Sequence, residues 1–349
     1  MSIIRKSFYK GLNLGGWFSQ CKEYTQENYN TFIVEEDFKQ IKALGFDHVR
    51  VPFDYHLILE DDYKTYIESG FDHINRAISW CEKYGLNMVL DLHKAPGYSF
   101  DTKDDNQLFS DPALQEVAVD IWRTLARKYS GQYEQEIIFE LLNEIVEPDS
   151  SRWNILATKM VKVIRENDCE RTIMIGGNNY NSCGDLKYIP KFEDDKIVYT
   201  FHFYDPILFT HQKAYWAAKN MAYNQSLAYP GDYTNYEEFA KNYPQYYDEG
   251  LLEEGLNKEA IRKYLQPAVT FIEENDVPLY CGEYGVIALA SLESRINWHR
   301  DFMSLLDELE IGSGCWSYKE MDFELIDDQG QPLSMELMNI LNRTQVSKA

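Results

Sequence analysis

Strand-like and helix-like segments alternate from one end of this chain to the other, and that order limits its fold more than any other feature. Leu12–Leu14 is a short apolar run before Gly15 and Gly16, and residues 34–44 read as a helix, with Phe38, Ile41 and Leu44 on one face and Gly45 as its stop. A strand from His48 to Val51 ends at Pro52. A helix from Phe71 to Tyr84 follows, with Phe71, Ile74, Ile78 and Cys81 on one stripe and Gly85 beyond it. Asn87–Leu92 is a nearly unbroken apolar strand. Asp111 and Pro112 supply the cap and first-turn proline of a helix whose inner face is Leu114, Val117, Ile121 and Leu125. Further strands are expected at Ile137–Leu142, Thr172–Ile175, Ile197–Phe201, Pro278–Gly282 and Gly312–Trp316, with helices at Trp153–Arg165 and Glu293–Leu309.

This makes about eight strand-then-helix units, and strands that read as continuous apolar runs are buried on both faces. Repeated βα order gives a parallel sheet, and eight units favour closure into a (β/α)8 TIM barrel. A doubly wound open sheet is the alternative. It would carry a glycine-rich phosphate turn after the first strand, and Gly11, Gly15 and Gly16 do not form GxGxxG. The 349 residues suit one catalytic domain spanning 1–349. One stretch breaks the rhythm. After strand six, roughly 50 residues (207–256) pass before the next helix candidate, too many for a plain connection. Tyr215, Trp216, Tyr223, Tyr229, Tyr233, Tyr236, Tyr246 and Tyr247 fall in or near it, and an insertion subdomain over the barrel mouth is expected. The alternative is a set of surface tyrosines with no part in binding.

Composition narrows the partners. Hydrophobic residues make up 44% and charged residues 26%, which suits a folded globular chain. A net charge of -23 argues against nucleic acid or an anionic membrane surface and leaves a neutral ligand such as a sugar open. No apolar run is long enough to span a bilayer. The six cysteines show no CxxC spacing and read as free thiols rather than a disulfide framework. Residues 1–10 are basic without an apolar stretch, so no secretory leader is expected. The chain is expected in the cytoplasm, or exported by a route that leaves no such mark, and as a monomer.

In a parallel barrel, chemistry sits where strands end. The polar residues at the expected strand ends are Arg50, His93, Asn143, Glu144, His202, Tyr204, Glu283 and Trp316. Singly, each has an ordinary structural reading: a strand-end Glu caps a helix, a His is a bonded core residue, an Arg neutralises a carboxylate. Together they aim two carboxylates and their partners at one mouth, which stability alone rarely requires. Two carboxyl groups facing one bond suit glycoside hydrolysis, one as acid, the other as nucleophile or base. Arg50 and the Tyr204 hydroxyl are placed to hold Glu283 charged. Glu144, beside Leu141, Leu142 and Ile145, is expected to be desolvated and protonated. Asn143 is placed to bond a sugar 2-hydroxyl, and Trp316 offers a flat face to a pyranose.

The ordered set Leu141-Leu142-Asn143-Glu144, His202-Phe203-Tyr204, Gly282-Glu283-Tyr284-Gly285 and the strand ending in Trp316 resembles glycoside hydrolase family 5, the cellulase family. That family is marked by an Arg, a His, an Asn-Glu pair, a His-x-Tyr, a second Glu and a Trp in this order, which Arg50, His93, Asn143, Glu144, His202, Tyr204, Glu283 and Trp316 match. The likeness runs from Asn13-Leu14-Gly15-Gly16-Trp17 to Trp316. The stretches Gly45–Arg50 and Gly176–Ser182, with the tyrosine-rich insertion, resemble its clostridial members most. The resemblance implies a retaining double displacement with Glu144 as acid/base and Glu283 as nucleophile, roughly 5 Å apart. It further implies His202 beside the acid/base, His93 near the sugar before the cleaved bond, and no metal or other cofactor. The expected activity is an endo-β-1,4-glucanase on soluble β-glucans and oligosaccharides; mannan, xylan or β-1,3-glucan are alternative substrates. A metal-dependent hydrolase using His93, His202 and the carboxylates has neither a His-x-His nor a His-Glu-x-x-His to support it. A sugar-binding barrel without catalysis would not need both glutamates.

Overall fold

The computed structural model describes residues 2–102, 106–131, 133, 135–248, 251 and 255–344. Its centre is a closed parallel barrel of β1 (Lys10–Asn13), β2 (His48–Asp54), β3 (Asn87–Lys94), β4 (Ile137–Glu140), β5 (Ile173–Gly176), β6 (Ile197–Phe203), β7 (Leu279–Tyr284) and β8 (Gly312–Cys315), each paired with the next and β8 with β1. The helices Glu35–Ala43, Glu68–Tyr84, Pro112–Lys128, Ser150–Asn167, Gln266–Asn275 and Leu292–Glu308 surround it. Local chemistry sets their ends. The Asp111 carboxylate accepts the Ala113 N–H at 2.8 Å, and Gly85, at φ +66°, closes the helix that begins at Glu68, three residues before the first apolar stripe residue.

The fifth unit departs from expectation. After β5 no long helix follows; Asn179, Tyr180 and Asn181 turn through left-handed φ values of +51°, +58° and +55°, and a 3-10 segment, Cys183–Tyr188, covers the sheet. Asparagine tolerates that conformation and is a poor helix former, so the sequence favours a turn here.

The N-terminal helix Ile3–Ser7 closes the bottom of the barrel. Ile4 and Phe8 pack with Val89, Ile138, Met174, Val198 and Tyr280 as one buried layer. All six cysteines are free, four of them buried. Among the described residues no helix is long and apolar enough to cross a membrane.

Residues 207–256 contain the short helices Ile207–Thr210, Ala218–Tyr223 and Tyr236–Asn242. Four of the tyrosines are interior: Tyr223, Tyr229, Tyr233 and Tyr236 are buried, with Tyr223 5.0 Å from Phe239 between ring centres. Tyr229 ties the segment to the helix Leu292–Glu308, donating to Asp301 at 2.8 Å while its N–H reaches Ser294 at 3.0 Å. These buried aromatics are therefore continuous with the main hydrophobic core. Near the start of the segment, Ala214 packs with Ile287, Trp316 and Phe323. Tyr215, Trp216 and Tyr247 are exposed.

Candidate active site

The strand ends bring all eight expected residues to one mouth, around Arg50. Its side chain is fully buried on β2, and every N–H of the guanidinium has an acceptor. Nε donates to Glu140 at 2.7 Å and one terminal nitrogen to Asn13 at 2.9 Å and Glu283 at 2.7 Å. The other donates to Asn143 at 2.9 Å and Glu140 at 3.2 Å, and lies 3.0 Å from Asp91. Burial disfavours the charge, but Asp91, Glu140 and Glu283 outweigh it, and the guanidinium stays protonated. A planar fork with five donors is what this geometry requires, and lysine could not replace it.

Glu283, on β7, is thus held at both oxygens: Arg50 donates to one and the Tyr204 hydroxyl, at 2.9 Å, to the other. Burial, then the Glu283 charge, pushes the Tyr204 phenol well above its ordinary range, so it remains a donor. Glu144 lies across the cavity, just past β4. One oxygen of each carboxyl group and a His202 nitrogen lie within 4.8 Å of one another. Desolvation raises Glu144 to about 8, against the attraction of Arg50, so it carries its proton at neutral pH. His202 Nδ1 is 2.9 Å from Glu144 and 3.6 Å from Glu283. Burial lowers the pKa of this imidazole, which favours its neutral form, and its hydrogen bond runs to Glu144.

His93 lies between Asp91 and Asn143, beside Trp316. The ring is wholly buried and both nitrogens are engaged: Nδ1 lies 2.6 Å from Asp91, and Nε2 faces the amides of Gln20 at 3.1 Å and Asn143 at 3.4 Å. Desolvation holds it down to about 3, so it is neutral, with its proton on the Asp91 side. It stands behind Asn143 and orients that amide. Asn143 gives its oxygen to Arg50 and one N–H toward His93, which leaves the second N–H for a sugar hydroxyl. Trp316 is 6% exposed and parallel to the His93 ring, with centres 5.9 Å apart. Gly15 makes room for it, since a Cβ there would lie 2.6 Å from the indole.

Four neighbours of the catalytic pair were not singled out from the sequence. Asn13 supports Arg50 and bonds the carbonyls of Gly282 and Gly314 at 3.0 and 2.9 Å. Asp91 and Glu140 are buried carboxylates inside strands β3 and β4, and burial raises Asp91 to about 7. Gln20 fixes the His93 acceptor face. The signal for two of them was present: an acidic residue between Leu90 and Leu92, and another between Phe139 and Leu141, need a buried cation as partner.

Glu144, His202 and Glu283 also form a possible ligand set for a metal ion. The adjacent guanidinium would repel a second cation, and both Glu283 oxygens already accept hydrogen bonds. The group suits proton transfer and attack on carbon better than ion binding.

Known proteins are similar to this chain. The family description "Cellulase (glycosyl hydrolase family 5)" matches residues 11–322. Endoglucanase C of Acetivibrio thermocellus is 53% identical over 339 residues, covering 97% of this chain and 98% of its own. Cellodextrinase A of Ruminococcus flavefaciens is 34% identical over 312 residues, covering 89% and 85%. Among solved structures, endoglucanase Cel5A of Thermotoga maritima has the same fold, with a TM-score of 0.77 at 23% identity over 97% of this chain and 98% of that one.

Proposed function

The chain belongs to glycosyl hydrolase family 5, the cellulase family, and from that premise we propose that it is a retaining endo-β-1,4-glucanase acting on soluble β-glucans and cello-oligosaccharides. The observation that carries this reading is a pair of carboxyl groups with oxygens within 4.8 Å in opposite surroundings. Retaining enzymes hold the pair about 5–5.5 Å apart, while inverting ones need room for a water between them. Glu283, oriented by Arg50 and Tyr204, attacks the anomeric carbon to form a glycosyl-enzyme. Glu144, protonated below about pH 8, gives its proton to the leaving oxygen. With a proton on Nδ1, His202, 2.9 Å away, stabilises the carboxylate that results. Glu144 then takes a proton from the water that releases the sugar. The free N–H of Asn143 meets the 2-hydroxyl, where the contact strengthens as the oxocarbenium character grows.

The names of the 53% and 34% identical relatives, an endoglucanase and a cellodextrinase, support a β-1,4-glucan substrate and a preference for soluble chains. Ala214 and Ala217, at the start of the 207–256 stretch, pack in one cluster with Trp316. The test has two arms. A 2-fluoro-2-deoxycellobioside with a good leaving group should leave a 2-fluoro-2-deoxycellobiosyl group bound to Glu283, seen by mass spectrometry of the digested protein. Products from barley β-glucan, carboxymethyl cellulose, mannan and xylan should show internal cleavage of the first two. No labelling, or faster cleavage of mannan or xylan, overturns the mechanism or the substrate respectively.

A further inference from the structure

The acid/base sits on strained backbone: Glu144 has φ +37°, a left-handed conformation in which a residue with a Cβ is disfavoured. Its own strand does not explain this, because β4 ends at Glu140. The explanation lies in the loop after β3. Ala95-Pro96-Gly97-Tyr98 is a tight turn in which Ala95 and Tyr98 bond to each other and Gly97 sits at φ +70°, as a proline–glycine pair favours. The turn puts the Tyr98 ring, 3% exposed, edge-on to Phe109 with centres 5.4 Å apart. From there the phenol donates to the Glu144 carbonyl at 2.6 Å and accepts the Val146 N–H at 2.7 Å. One oxygen thus closes both ends of Glu144-Ile145-Val146.

We propose that Tyr98 is a positioning residue for the acid/base: its phenol oxygen, bonded to the backbone on either side of Ile145, holds Glu144 in the left-handed conformation that points its carboxyl at His202 and Glu283. The inference rests on the assignment of Glu144 as acid/base. A second clasp defines the segment from the other side. Tyr180 N–H donates to the Ile145 carbonyl at 3.0 Å, and the Asn178 side chain bonds the Glu147 N–H and carbonyl at 3.0 and 2.6 Å. Both clasps act on backbone, so neither depends on the protonation state of Glu144. Without the phenol oxygen, the Glu144 carbonyl and Val146 N–H lose their shared partner, and return of φ to the ordinary region rotates the residue by about 100°. The carboxyl would then leave the catalytic pocket and its desolvating surroundings.

A buried tyrosine that only packs would behave otherwise under the following test. Tyr98→Phe keeps the ring and removes the oxygen. The expected result is a loss of about 30-fold or more in kcat/KM on β-glucan, whose leaving group needs a proton. On 2,4-dinitrophenyl cellobioside, whose leaving group does not, the loss should be less than about 3-fold. The alkaline limb of the glucan profile should move toward lower pH as Glu144 becomes hydrated. Tyr129→Phe is the control: it removes another buried hydroxyl, bonded to Asn75 at 3.0 Å, and should leave both rates and the limb unchanged. If Tyr98→Phe does not fold, Phe109→Leu loosens the same ring and should give a smaller split of the same sign. Equal losses on the two substrates, or none, with an unmoved limb, overturn the proposal. Glu144→Ala separates the two levels. If it shows the split and Tyr98→Phe does not, only Tyr98 is misassigned; if Glu144→Ala shows none, the acid/base reading itself fails.

Discussion

The two banks of the cavity flank one histidine, hydrogen-bonded to Glu144 and 3.6 Å from Glu283, yet they are built on opposite principles. On the Glu283 bank the carboxyl group is crowded with donors, and Arg50 joins it to Glu140 and Asp91 in one buried charge network. On the Glu144 bank the carboxyl is desolvated by burial and, among the described residues, is hydrogen-bonded to the His202 side chain, although its exposure, 14%, exceeds the 6% of Glu283. Exposure alone would rank them the wrong way for an acid and a nucleophile. What separates them is what replaces water: two fixed donors, Arg50 and Tyr204, on one bank, and burial with the single His202 contact on the other.

The sharpest way to break this contrast is to remove the nucleophile. Glu283→Gln should lower turnover on β-glucan by at least about 10⁴-fold, measured as reducing-sugar release. Undiminished turnover would remove the double displacement from consideration. Disarming the donors comes next. Arg50→Met leaves Glu140, Asp91 and Glu283 without their shared cation, and chemical denaturation should report a loss of about 3–5 kcal/mol or failure to fold. Retention of full stability would mean that these carboxyls do not depend on Arg50. On the other bank, Glu144→Ala should cost about 10²–10⁴-fold on glucan and far less on an activated aryl cellobioside.

The remaining two effects are smaller and depend on pH. If Glu144 is the acid, then, since desolvation raises it to about 8, kcat/KM on glucan should hold through neutrality and fall as pH passes about 8. A fall already complete by pH 6 would show that the bank is wetter than described. The same raised value has a cost in stability. A carboxyl whose folded pKa exceeds its unfolded one stabilises fully below the unfolded pKa, and that contribution is lost as pH rises through the folded one. Glu144→Gln should therefore gain in melting temperature over the parent from pH 5 to pH 9. A constant difference across that range would contradict the assignment.

Much of this was legible along the chain. Pro112 behind Asp111 and Gly85 behind Tyr84 marked helix ends because caps are local chemistry. The strand-end residues were legible because a parallel barrel sends every strand end to one face. Asp91 and Glu140 were passed over inside apolar strands: an interior carboxylate makes sense only with its cation, and Arg50 lies 90 residues from Glu140. Tyr98 carried no polar signature at all, since its partners are main-chain groups 46 and 48 positions away. The tyrosines of 207–256 could not be sorted into core and surface, because side-chain burial there depends on the helix Leu292–Glu308 folding against them.

By itself the sequence determined the architecture and the cast of the mouth, since hydrophobic period, caps and turn residues act over a few positions and the barrel converts chain order into spatial order. Only the tertiary structure decided which carboxyl keeps its proton. That choice is set by dielectric surroundings and by donors such as Arg50, 233 residues from Glu283, and these act through distance in space rather than along the chain.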